Sequence, residues 1–238
     1  MMLKQLKHKS NKPFQWLLLL VTSTVIMSCG GKKFEKTPVD NYIVEYSNEQ
    51  NFAILLQDMD VEGNFFKTYK HKYQVILEDA EGKPSEKTSE WFEVSDKFFE
   101  VNENNLGMTL VYKKDGKLEK NVSPSGIQYV GDKKYGEWRS NNGTSFWAFY
   151  GQYMFMSHMF GMMRTPFYRN NYNTYRSSHY ERSGYYGPTT NGKPTYGTNS
   201  AATRKARPDF HQRRASKSGW GSSRGRSGVG SRGSGFGK

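Results

Sequence analysis

The chain has a single cysteine, Cys29, among 238 residues. No intrachain disulfide can therefore contribute to its stability. It also lacks an unbroken run of about 20 apolar residues, the length a transmembrane helix needs. Acidic residues are missing from the N-terminus, where the first is Glu35. Aliphatic residues nearly vanish after Thr165. No repeat with a period of about 20–50 residues is present, which argues against solenoids and propellers. Catalytic signatures are equally scarce. No glycine elbow surrounds a serine. His71, His158, His179 and His211 show no H-x-x-x-H spacing. The "GSGFG" near the C-terminus is not followed by a helix, as a phosphate loop requires. These gaps point to a protein that is not an enzyme.

What is present begins at the N-terminus. Lys4, Lys7, Lys9 and Lys12 precede an apolar stretch that ends at Met27. A basic segment, a short apolar segment and a small residue form the pattern of a bacterial secretory signal. The apolar stretch is about a dozen residues, broken by Thr22, Ser23 and Thr24, so a cleaved signal fits better than a permanent anchor. Ile26-Met27-Ser28-Cys29 resembles the lipobox of bacterial lipoproteins. The resemblance implies a diacylglyceryl group on the Cys29 sulfur, cleavage before Cys29 by signal peptidase II, and palmitate-type acylation of the new amine. Two or three such chains hold a protein stably, whereas one binds only marginally. An odd cysteine in an exported chain needs some such reason. Residues 1–28 are thus expected to be the signal peptide and 29–37 a flexible tether. The expected address is the bacterial cell envelope, lipid-anchored to a membrane. The only cofactor-like group expected is the covalent lipid.

Charge is segregated along the chain. Residues 29–160 hold 16 basic and 20 acidic residues, whereas 161–238 hold 15 basic residues against Glu181 and Asp209. A mildly acidic body with a strongly basic tail suggests interaction through the tail. Arg204, Lys205, Arg207, Arg213, Arg214, Arg224, Arg226 and Arg232 are the candidate contacts to anionic lipids, anionic glycans or an acidic envelope protein. Each exposed cation near an anionic membrane is worth about 1 kcal/mol. Arg/Gly/Ser segments with aromatics also bind single-stranded nucleic acid, but export disfavours that partner. Ordering a backbone costs roughly 1–2 kcal/mol per residue, and residues 164–238 have few aliphatics to offset it, so a disordered tail is expected. Its Tyr172, Tyr175, Tyr180, Tyr185, Tyr186, Tyr196, Phe210, Trp220 and Phe236 would stack on sugars or proteins.

Residues 38–163 have the length of one small α+β domain, with antiparallel strands and an apolar Met/aromatic helix. Val39 to Ser47 suits a short helix with Asp40 near its start. Phe52 to Leu56 suits a strand. Tyr69, Tyr73, Val75 and Leu77 alternate as a half-buried strand does. Asp79 to Lys83 is a turn and "SEWFEV" a partner strand. Ser95 offers an N-cap, and Gly107 a C′ residue, to a helix between them. Asp115-Gly116 sits between two alternating runs and suits a type I′ hairpin. Tyr129 to Trp138 is a loop or short strand.

No charge occurs from Ser145 to Met163, and this run suits a helix apolar almost all round. Such a helix packs on the domain's own sheet, lies against a membrane or partner, or spans a bilayer. Within it, Met154, Met156, His158, Met159, Met162 and Met163 offer soft donors for Cu(I) or Ag(I), which makes metal handling the alternative function. The same methionines also serve as adaptable packing residues. Asp58 and Asp60 share one face of a strand, as a cation site or, more simply, as a solvated face.

The blocks "DMDVEGNFFKTYKHKYQVI", "YVGDKKYGEW" and "SFWAFYGQY", followed by a Tyr-rich stretch and an Arg/Gly/Ser tail, are similar to a group of bacterial envelope lipoproteins. The resemblance implies a shared body plan and no activity. The sequence therefore points to a non-enzymatic, membrane-tethered module that binds or supports other envelope material.

Overall fold

The computed structural model describes residues 36–63, 65–79, 81–158, 166–217 and 220. The chain divides at Lys36, and every element below belongs to the unit from Thr37 onward. That unit is α+β, with antiparallel strands.

Helix α1 (Pro38–Glu45) begins with a reciprocal capping box. The Thr37 hydroxyl accepts from the Asp40 N–H at 3.2 Å, and the Asp40 carboxylate accepts from the Thr37 N–H at 3.1 Å. Pro38 at the first turn gives up no needed hydrogen bond. Strands β1 (Phe52–Glu62), β2 (Thr68–Glu78) and β3 (Pro84–Val94) then form an antiparallel meander. Ser95 caps α2 (Asp96–Asn102), its hydroxyl accepting from the Phe98 N–H. The helix ends well before Gly107, so Gly107 is not its C′ residue. Its N–H instead donates to the Leu56 carbonyl at the entry to β4 (Met108–Lys114). Asp115 and Gly116 both have positive φ, 51° and 79°, as a type I′ turn into β5 (Lys117–Glu119) requires. The sheet order is β3-β2-β1-β4-β5, with β6 (Ser123–Pro124) paired to β4.

Both faces of this sheet are covered. Phe52, Ile54 and Leu56 of β1 pack with α1, α2 and Phe210 on one side. Ala53 and Leu55 face the other side, against Ile127, Tyr129, Trp147 and Phe149. Two-sided burial explains why residues 52–56 form an unbroken apolar run.

The second face corrects the helix expected over 145–163. Thr144–Phe149 is strand β8, paired with β7 (Gly136–Asn141) in a separate two-stranded sheet. A single 3₁₀ turn (Gly151–Tyr153) and a four-residue helix, α3 (Phe155–His158), follow. Trp147 and Phe149 are buried while their neighbours are half-buried, so the strand has no polar face to reveal its period. Among the described residues no helix is long and apolar enough to cross a membrane. Residues 159–163 lie outside the described residues.

The tail requires a second correction. Residues 166–217 are structured, as α4 (Arg169–Thr174), a π-turn (Tyr175–His179), a short hairpin of β9 (Thr189–Thr190) and β10 (Lys193–Pro194), α5 (Ala201–Ala206) and α6 (Pro208–Ser216). Phe167, Tyr175, Tyr185, Tyr196 and Phe210 are all buried. Aromatic rings bury as much surface as aliphatic chains do, so the scarcity of aliphatics did not prevent a core. Thr198 adds two hydrogen bonds, donating to the Glu103 carbonyl at 2.7 Å and accepting from the Leu106 N–H at 3.0 Å.

Candidate binding cleft

The tail meets the body in two places. At the first, α6 lies along the part of β1 that β4 leaves uncovered, since the β1–β4 pairing ends at Leu55. Covering an open strand edge this way prevents pairing with other chains. Arg207 donates to the Gln57 carbonyl and to Asp58 Oδ2, both at 2.6 Å. Arg213 donates to Asp58 Oδ1 at 2.8 Å, and Lys217 to Asp60 Oδ1 at 2.6 Å. Phe210 and Trp220 stack edge-on beside this row, with Trp220 also against Phe99. Asp58 and Asp60 are therefore neither a cation site nor a solvated face.

This docking revises the expected anion contacts. Arg207 and Arg213 already have a carboxylate partner within the chain. Arg204 and Lys205 remain exposed, and Arg214 is half-buried. Partial burial lowers the His211 pKa, and the charges of Arg204 and Arg214 lower it further, so these side chains make one basic cluster. Lys205 lies with Lys193 on a shallow recess of about 510 Å³ beside the β9–β10 hairpin. Arg224, Arg226 and Arg232 lie outside the described residues, as does Cys29.

The expected soft-metal set is not gathered by the described residues. Met156 is 1% exposed and packs against Gly126 and Phe149 in the core, whereas Met154 is 50% exposed. The His158 side chain and Met159, Met162 and Met163 lie outside the described residues.

The second meeting place is a cleft of about 790 Å³ between the β4–β5 hairpin, the Ile127–Lys133 segment and the α4/π-turn. Tyr112, Lys114 and Lys117 come from the hairpin, and Tyr172, Tyr175, Arg176 and Tyr180 from the tail. Gly131 allows the two sides to approach: a Cβ there would lie 2.7 Å from the Tyr172 hydroxyl. Its φ of +86° also disfavours any other residue. Lys117 bridges to Glu181 at 2.6 Å across the cleft's outer rim. Lys114 donates to Asp132 at 2.9 Å and to the Gln128 carbonyl at 3.3 Å. Arg176 stacks on Tyr180, 3.9 Å above the ring centre.

Tyrosines dominate the chemistry of this cleft. Tyr112 and Tyr175 bring their hydroxyls to 3.5 Å, a long contact. Burial pushes the Tyr175 pKa up to about 12 and raises those of Tyr112 and Tyr172 as well, so all three present neutral hydroxyls. Gln128 also lines the wall, 7% exposed, with its amide atoms buried behind the surface and its side chain hydrogen-bonding toward Tyr129. Lys133, also on the wall, adds a cation.

Sequence reading found Tyr172, Tyr175 and Tyr180 as stacking residues but placed them in a disordered tail. It missed Tyr112, Gln128, Lys114, Lys133 and Arg176. No local pattern marks them, because the cleft forms between segments some 60 positions apart, as in the Tyr112–Tyr175 contact. No protein-family model, curated protein or solved structure matches this chain.

Proposed function

We propose that this protein is a non-enzymatic lipoprotein of the bacterial cell envelope, tethered through Cys29, whose folded module binds acidic or polyhydroxylated glycans. The observation that carries the binding assignment is the tyrosine-walled cleft with Lys133 and Arg176 on its wall. Flat tyrosine faces suit the apolar faces of sugar rings, and tyrosine hydroxyls suit ring hydroxyls. Lys133 and Arg176 suit carboxylate or phosphate substituents. The tether supplies the address, and the Arg204/Arg214 cluster supplies further contact to anionic envelope material. For the Cu(I)/Ag(I) alternative, Met156 belongs to the hydrophobic core and Met154 is half exposed, while the His158 side chain, Met159, Met162 and Met163 lie outside the described residues.

A glycan array probed with the purified folded module tests this reading. Binding to acidic or neutral oligosaccharides by the wild type, lost in Tyr172→Ala, is the expected result. A wild type that binds no saccharide, or a variant that binds as well as it does, would remove the assignment.

A further inference from the structure

The turn between β1 and β2 carries two adjacent phenylalanines, Phe65 and Phe66, that are 97% and 94% exposed. Nothing else on the described surface combines such large side chains with such exposure. Single exposed apolar residues are ordinary, but an apolar pair at a protruding tip marks an interaction site. The tip is built to hold this conformation. A Cβ on Gly63 would lie 2.0 Å from the Phe66 carbonyl oxygen, and Gly63 has φ +83°, so only glycine closes the turn. The chain thus folds back tightly while leaving both rings outside.

The location of the tip indicates its occupant. Helix α1 runs with its C-terminal half at the far end of the sheet, where Tyr46 packs on Phe52. Its Tyr42 reaches Tyr73 and Phe92, nearer the tip. The N-terminus of α1, at Thr37, therefore points toward the end that bears Phe65 and Phe66. Eight chain steps separate Thr37 from Cys29, a reach of at most about 29 Å. A lipid on Cys29 would hold this end of the module beside a bilayer.

We propose that Phe65 and Phe66 insert into the bilayer interface and seat the module on the membrane that tethers it. This choice of occupant rests on the lipoprotein reading. The two rings dominate what the tip offers; Lys67 follows them directly, and of the charges further along the strands Lys70 pairs with Glu62 and Lys217 with Asp60, each at 2.6 Å. Contact through the tip should therefore resist salt, unlike contact through a basic tail.

The test uses the mature chain with Cys29→Ser, which carries no lipid, and vesicles of phosphatidylethanolamine and phosphatidylglycerol. The expected result is co-sedimentation that persists in high salt and falls on the order of tenfold in the Phe65→Ser/Phe66→Ser variant. Both side chains are exposed, so the variant should keep the wild-type melting curve, and that is checked alongside. Equal partitioning of the two proteins would overturn the proposal. So would a wild type that ignores vesicles, as expected if the pair docks a protein instead, or binding that salt abolishes. Failure of the lipoprotein reading itself would show separately, as a membrane-extracted chain without lipid mass.

Discussion

Replacing Asp58 with Asn should release the tail from the body. Asp58 is the shared partner of Arg207 and Arg213, with contacts of 2.6 and 2.8 Å. Its side chain is 11% exposed, against 21% and 31% for the two arginines. The asparagine keeps the Oδ1 that accepts from the Met59 N–H, so β1 itself is spared. An exposed ion pair contributes about 0–1 kcal/mol, whereas removing one partner of a buried pair costs about 3–5 kcal/mol. This site lies between those limits, so the expected loss is about 2–3 kcal/mol. The direct assay is limited trypsin digestion under native conditions. The variant should be cut rapidly between Arg204 and Lys217 while the sheet survives, because local release exposes the arginines and lysines of α5 and α6. If the module unfolds as one unit, its midpoint should fall by about 5–10 °C. A double-mutant cycle with Arg213→Gln should return a coupling of about 1 kcal/mol or more. Wild-type trypsin resistance with an unchanged midpoint would refute the docking argument.

Other consequences follow from the core and the cleft. His71 is fully buried, and desolvation lowers its pKa to about 3. The unfolded state binds a proton near pH 6.5 that the folded state refuses, so His71's contribution is intact above that pH. It is lost as pH falls toward 3, by at most about 5 kcal/mol. His71→Phe should flatten this part of the stability–pH curve in denaturant titrations. Phe210→Ala empties a fully buried ring site and should cost about 3–5 kcal/mol by chemical denaturation. Gly131→Ala should narrow the cleft against Tyr172 and weaken saccharide binding, with the hydrophobic core largely intact, as calorimetry and thermal melts would report.

The elements that were legible in the sequence are those with local causes. The first helix with Asp40 near its start, the Ser95 cap, the alternation of β2 and the Asp115-Gly116 turn each announce themselves within a few residues. Strand β8 did not, because "TSFWAF" is apolar and uncharged and reads equally well at helical spacing. Its partner, β7, begins at Gly136, where a Cβ would lie 2.3 Å from the Ala148 carbonyl, a constraint invisible without the pairing. The tail misled for a compositional reason. Tyr175, Tyr185 and Tyr196 do the packing that leucine or valine usually does. Each still carries a hydroxyl, which Tyr185 satisfies on the Asn171 carbonyl at 3.0 Å. The Asp58–Arg207 contact spans 149 positions, beyond any local signal. The basic charge of the tail was legible, but the body's own share in neutralising it was not.

A tether joined to a binding module is tested most directly by the intact mass of the protein extracted from membranes, with Cys29→Ala beside it. The expected species begins at Cys29 and carries diacylglyceryl and further acyl mass, and the variant lacks both. A full-length chain that begins at Met1 without lipid would contradict the account, and the cleft and the phenylalanine tip would then need a different setting.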